Sequence, residues 1–186
     1  MSHVWPSVLA NFLIFFVTLS LWPTVIGDAC VVPLTENNPK LTSWWFDIVM
    51  LTFNLGDFIG KSEKYTLQWG TRVLSPKVQL ALAVLRAVIF FPLILTASAP
   101  QLYSPASARW VLLFGTLGVG LSNGWLSSVC FMRAPKALPE GTRNEVAEQA
   151  TSLLYFGLFL GLAFGALAAF VAQQTFLKNH LHVCYS

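Results

Sequence analysis

Five long apolar runs, separated by short polar stretches, constrain this chain more than any other feature. They cover 4–27, 41–60, 78–98, 110–132 and 149–177. A helix needs about 20 apolar residues to cross the hydrocarbon core of a bilayer, and each run is long enough. Three of them (4–27, 110–132 and 149–177) hold no charged side chain; 41–60 holds Asp47 and Asp57, and 78–98 holds Arg86. The runs are too continuous for the alternating pattern of a membrane barrel strand, and lipid cannot satisfy an open sheet edge. The pattern predicts an all-α membrane protein with five transmembrane helices in a single transmembrane domain spanning 1–186.

Composition narrows the function classes. Only 10% of the 186 residues are charged and the mean hydropathy is +0.64. About a quarter charged is usual for a soluble domain, so this chain lacks a wettable shell. Its net charge of +3 is spread over the connections, with no basic run or aromatic-interleaved patch for nucleic acid. Cys30, Cys130 and Cys184 form no Cys-x-x-Cys pair and no metal-ligand spacing, although Cys30 and Cys184 fall on one predicted side of the membrane, where a disulfide is conceivable. His180 and His182 read as a solvated tail pair. With no phosphate-cradling glycine loop and no catalytic dyad, the reading is of a non-enzyme without cofactor or metal.

Between the runs lie Asp28–Lys40, Lys61–Lys77, Ala99–Arg109 and Arg133–Glu148, and prolines in the first, third and fourth (Pro33, Pro39, Pro100, Pro105, Pro135, Pro139) are expected to stop helices. Lys and Arg set orientation. Lys61, Lys64, Arg72 and Lys77 sit in the second connection and Arg133, Lys136 and Arg143 in the fourth, against Lys40, Arg109 and Lys178 on the other side. Seven against three places the N-terminus in the cytoplasm and the C-terminus outside, with the plasma membrane as the expected location. The first run is preceded by His3 but no Lys or Arg and exceeds a leader's apolar stretch, so it reads as a retained helix. Trp44, Trp45 and Trp110 read as an outer aromatic belt, with Asp47 beside them.

A charge at the bilayer centre costs at least about 2.5–3.5 kcal/mol, so it must meet a partner or water. Asn54, Asp57 and Lys61 fall at i, i+3 and i+7 on one helix face, and Asp57 and Lys61 are spaced to pair. Arg86 lies about a third of the way along its run, before a helix-kinking Pro92. Ser122, Asn123 and Gly124 fall in mid-membrane. Two readings stay open. In one, Asp57, Lys61 and Arg86 are ion-pair glue and Asn123 an interhelical hydrogen bond; in the other, they line a path for a hydrophilic solute. Gly56 and Gly60 share a stripe where a neighbouring helix or a ligand can come close, and Gly120 and Gly124, like the stripe Gly157, Gly161 and Gly165, mark close helix packing.

Several stretches resemble the C-terminal half of the equilibrative nucleoside transporter family, its helices seven to eleven. They are Val17-Thr18-Leu19-Ser20-Leu21-Trp22-Pro23; Phe53-Asn54-Leu55-Gly56-Asp57-Phe58-Ile59-Gly60-Lys61; Leu85-Arg86 with Pro92; Gly120-Leu121-Ser122-Asn123-Gly124-Trp125-Leu126 with Met132 and Pro135-Lys136; and Glu148 leading into Gly157-Leu158-Phe159-Leu160-Gly161 and on to Gly165. The resemblance implies a fold like that of the major facilitator superfamily and facilitated diffusion of nucleosides, or nucleobases, by alternating access. It implies substrate contacts at Asp57 and Lys61, joined by Asn54, and structural or gating roles for Arg86, Pro92, Asn123 and Gly124. It further implies partnership with an N-terminal half or a second copy, since five helices supply one wall of a path. Lys61 stands where the family usually has arginine, Trp125 where tyrosine is usual and Trp22 where phenylalanine is usual. The alternative reading is a non-transporting multi-span protein that acts through helix–helix contacts.

Overall fold

The computed structural model describes residues 4–27, 29, 38–62, 64–98, 104–134 and 143–177. The expectations for Cys30, Cys184, His180, His182, Pro33, Pro100, Pro135 and Pro139 lie outside them. Among the described residues there is no strand. The helices, in order, are α1 (Trp5–Leu21), α2 (Thr24–Gly27), α3 (Pro39–Ser62), α4 (Lys64–Val73), α5 (Pro76–Ser98), α6 (Pro105–Arg133) and α7 (Arg143–Ala172), which runs into a wider π-type turn, Gln173–Leu177. The chain is thus an all-α membrane protein: among the described residues, three helices (Trp5–Gly27, Pro76–Ser98 and Glu148–Thr175) are long and apolar enough to cross a membrane.

Three helices start in the same way. Asn38 precedes Pro39, Ser75 precedes Pro76 and Ser104 precedes Pro105. The Asn38 side-chain oxygen accepts from the Lys40 and Leu41 amides at 3.1 and 3.3 Å, Ser75 Oγ from the Val78 amide at 3.4 Å, and Ser104 Oγ from the Ser107 amide at 3.4 Å. An oxygen at the cap satisfies a free first-turn N–H, and proline in the next position has no N–H to lose. Pro39 and Pro105 therefore begin helices, contrary to the expectation that they stop them. The first apolar run does break at a proline. Trp22 is extended, with φ −123° and ψ 138°, because the ring of Pro23 crowds the α conformation of the residue before it.

The connection at 61–77, expected as a polar loop, carries α4. Gly70 of this helix and Leu74 just beyond its end are buried, whereas Trp69 and Val73 are exposed. A side chain added at Gly70 would come within 2.8 Å of Val129 Cγ2. The Arg133 guanidinium, at the end of α6, donates to the carbonyls of Thr71 and Arg72 and closes the C-terminal end of α4.

The helices form two tight pairs. α3 lies along α6 and α1 along α7, while α5 packs against both α1 and α6. Lipid is as apolar as leucine, so these pairs are held by close packing and polar contacts instead of the exclusion of water. One apolar layer joins Val17, Leu21, Ile26, Trp45, Val49, Ile94 and Leu112; another joins Ala10, Ile14, Ala83, Leu126 and Cys130. Trp45, at 2% exposure, belongs to the first layer and not to the aromatic belt; Trp44 and Trp110 face outward. Neighbouring helical residues point about 100° apart, so Trp44 and Trp45 cannot share one environment. Outward-facing Leu51, Phe58, Val88, Phe159, Phe164 and Phe170 give the bundle an apolar exterior suited to lipid.

Candidate functional site

A polar belt lies between the two apolar layers, and in it Lys61, Asp57, Asn123, Thr18, Arg86 and Ser122 contact one another in turn. Asp57 sits at the edge of the α3–α6 seam with its side chain 17% exposed. One carboxylate oxygen, Oδ2, takes the ammonium of Lys61 at 2.5 Å; the other, Oδ1, accepts from Asn123 Nδ2 at 2.8 Å. Lys61, one turn further along α3, leaves 52% of its side chain exposed. Asn54 is exposed on the turn before and donates to its own helix at Met50 O, 2.8 Å away, instead of to Asp57.

Arg86 of α5 is 4% exposed. Its Nε donates to Ser122 Oγ at 2.8 Å, Nη1 to Ile14 O at 2.5 Å, and Nη2 to Thr18 Oγ1 and Val119 O at 2.8 and 2.9 Å. The fixed fork of five donors is thereby spread over α1 and α6. Thr18 in turn lies 2.8 Å from Asn123 Oδ1. Arg86 and Asp57 thus do not form a direct ion pair; two neutral side chains stand between them. Pro92 lies inside α5, two turns beyond Arg86, and the helix continues through it to Ser98.

Lysine at 86 would keep the charge but carry its donors at a single point. Arg86→Lys is therefore expected to lower stability by about 1–3 kcal/mol, the cost of leaving buried acceptors unmet. Thermal unfolding in detergent checks this, and an unchanged midpoint would show that the spread of the guanidinium is unimportant.

Thr18 joins the site without having stood out in the sequence, and Ser122, part of the mid-membrane polar set, proves to be a partner of Arg86. The signal lay in Arg86 itself. A buried guanidinium more than one side chain from any carboxylate must find hydroxyls and backbone carbonyls, and Thr18 and Ser122 are hydroxyls within the flanking runs. A second buried polar group was also missed: Ser7 Oγ donates to Gln79 Oε1 at 2.9 Å, and Asn11 Nδ2 to Leu154 O at 2.9 Å.

Glycine places Asp57 and Asn123 within reach of each other. A first side-chain atom at Gly56 would stand 2.7 Å from Leu117 O, and one at Gly60 2.5 Å from Leu121 O. From the other side, Gly120 and Gly124 would run into Phe53 O and Asp57 O. Backbone therefore lies on backbone along the seam, and only glycine permits that approach. Gly157, Gly161 and Gly165 face α1 in the same manner, against Val8 O at 2.8 Å, Phe12 O and Phe16 O at 2.8 Å.

A groove of about 520 Å³ between α1, α5 and α7 is lined by Phe16, Leu95, Phe164 and Val171, with Thr175 as its polar group. It offers almost nothing to a hydroxyl-rich solute. The belt around Asp57 has the opposite character: an acceptor anion, an ammonium donor and an amide on one side of α3. Among the described residues no His, Cys, Asp or Glu cluster could hold a metal ion.

The family model for nucleoside transporters matches residues 1–174. Equilibrative nucleoside transporter 1 of Rattus norvegicus is 27% identical over 178 residues, 93% of this chain and 37% of its own length. Equilibrative nucleoside transporter 4 of Danio rerio is 29% identical, over 92% of this chain and 30% of its own length. Equilibrative nucleoside transporter 2 of Mus musculus is 30% identical, over 90% of this chain and 36% of its own length. The chain thus spans about a third of the length of these relatives. With the family model matched over nearly its whole length, the chain belongs to the nucleoside transporter family.

Proposed function

We propose that the chain forms one wall of a passage through which nucleosides, or nucleobases, move down their gradient by alternating access. The observation that carries this reading is the Asp57 carboxylate, held by Asn123 and Lys61 at a partly open position in a chain of this family. A nucleoside crossing a low-dielectric barrier needs acceptors and donors for its ribose hydroxyls and base edge. Asp57 accepts from ribose hydroxyls, Lys61 donates to a sugar oxygen or steadies Asp57, and Asn54 extends the polar stripe. Arg86, Pro92, Asn123 and Gly124 keep the wall in shape or take part in gating.

On this reading five helices span the bilayer. α3 and α6 have 24 and 29 residues. At about 1.5 Å per residue they exceed a hydrocarbon core of about 30 Å, although they carry more polar groups than the other three. They correspond to the C-terminal half of a major-facilitator-like fold, in the plasma membrane with the N-terminus in the cytoplasm. One wall encloses nothing, so a second copy or an N-terminal half faces it.

The test uses the purified chain in lipid nanodiscs. Saturable binding of radiolabelled adenosine or uridine is expected, whereas proteoliposomes holding demonstrably monomeric chain are expected to show no uptake. Folded chain that binds neither nucleoside would end the reading, and uptake by the monomer would remove the need for a facing wall. A second reading, a protein that works through helix–helix contacts, must use a face other than the glycine seams, which are already filled within the chain. It gains if binding is absent while a partner helix protein co-purifies through the face bearing Asp57.

A further inference from the structure

The buried guanidinium and the partly exposed carboxylate sit on different helices with two neutral side chains between them, and the chemistry of the two ends fixes the direction of every hydrogen bond. Asp57, ionised against Lys61, only accepts, so Asn123 must turn its amide nitrogen toward it; the contact is 2.8 Å. That leaves Asn123 Oδ1 aimed at Thr18, 2.8 Å away. Arg86 only donates, so the Thr18 oxygen accepts from Nη2 at 2.8 Å. The single Thr18 hydrogen has two acceptors in reach, Asn123 Oδ1 and Ile14 O, each at 2.8 Å. Ile14 O already receives Arg86 Nη1 at 2.5 Å, whereas Asn123 Oδ1 needs a donor, so the hydrogen goes to Asn123. The bonds run one way, from Arg86 to Thr18 to Asn123 to Asp57. Dipoles aligned head to tail between a cation and an anion reinforce one another where the surroundings are apolar. Thr18 and Asn123 are 2% and 4% exposed, so water does not compete.

We infer that Thr18 and Asn123 are positioning residues: they couple the buried charge of Arg86 to Asp57 and hold one carboxylate oxygen in place, so that the remaining acceptor positions are presented to the ribose hydroxyls. This deepens the proposed nucleoside reading and rests on it. The relay spans α5, α1, α6 and α3, and so links the two tight helix pairs at the polar belt. Thr18 acts only through its hydroxyl, which makes its role separable from its bulk.

The experiment compares Thr18→Val, which keeps the shape and drops the hydroxyl, with Thr18→Ser, which keeps the hydroxyl. Thr18→Ala serves where valine crowds. Binding of adenosine and of 2′,3′-dideoxyadenosine is measured on the full chain in nanodiscs. Thr18→Val is expected to reduce the preference for the ribonucleoside by about tenfold, the worth of one charge-assisted hydrogen bond. Thr18→Ser is expected to keep it, and Thr18→Val is expected to add nothing in an Asp57→Asn background. Equal weakening of both ligands, or valine and serine behaving alike, would overturn the relay. If no variant binds either ligand, or Asp57→Asn leaves binding intact, the nucleoside reading fails instead. The relay is then decided by thermal unfolding of the single and double variants. Effects of Thr18→Val and Asp57→Asn that do not add preserve it, and additive effects remove it.

Discussion

Asp57→Asn is expected to weaken ribonucleoside binding by about 10- to 100-fold, equivalent to roughly 1.5–3 kcal/mol for a charge-assisted hydrogen bond, without lowering the amount of folded protein. Asparagine has nearly the same shape and still reaches Asn123 and Lys61, but half of its end becomes a donor and its charge is gone. A ribose that offers hydroxyl hydrogens to an anion then meets a weaker acceptor. Equilibrium binding of adenosine and uridine, with membrane yield measured alongside, checks both halves of the prediction. Lower yield with unchanged affinity would make Asp57 a packing group.

The second large effect is mechanical. Gly124→Leu is expected to cost on the order of 3 kcal/mol or more, at the upper end of what overpacking does, because its first added atom would meet Asp57 O and neither backbone can yield. Gly118→Ala is the milder comparison. There an added atom would stand 3.1 Å from the ring of Phe90, which can turn aside, so the expected loss is under about 1 kcal/mol. Thermal unfolding in detergent distinguishes the two. Equal midpoints would mean that the α3–α6 seam carries no special constraint.

Much of the fold is legible in the sequence, for physical reasons. Apolar length marks where lipid must be, so it locates the membrane part of each helix well and its ends poorly. α6 begins at Pro105, five residues before the apolar run at Trp110, because Ser104 and Pro105 suit a helix start in polar surroundings. α4 was hidden since ten mixed residues between charged ends look like loop, and it owes its order to α6. The glycine spacings were visible, but not which helix each would meet. Asp57 and Asn123 stood out because amides and charges are expensive in lipid. Thr18 did not, since a threonine in a helix can satisfy itself on the carbonyl four residues back, as Thr52 does on Ile48 O at 2.7 Å. Only the third dimension shows that Arg86 and Asn123 claim its oxygen as well.

The carbonyl-tight contact along α3 and α6 leaves no slack, so neither helix can shear against the other without first separating. Any rocking of the bundle must then carry that pair as one stiff plank, with α4 riding on it through Arg133. Where α6 meets α1 the polar connection is between side chains, which can swivel and re-form. Thr18 and Asn123 form the clasp at that joint.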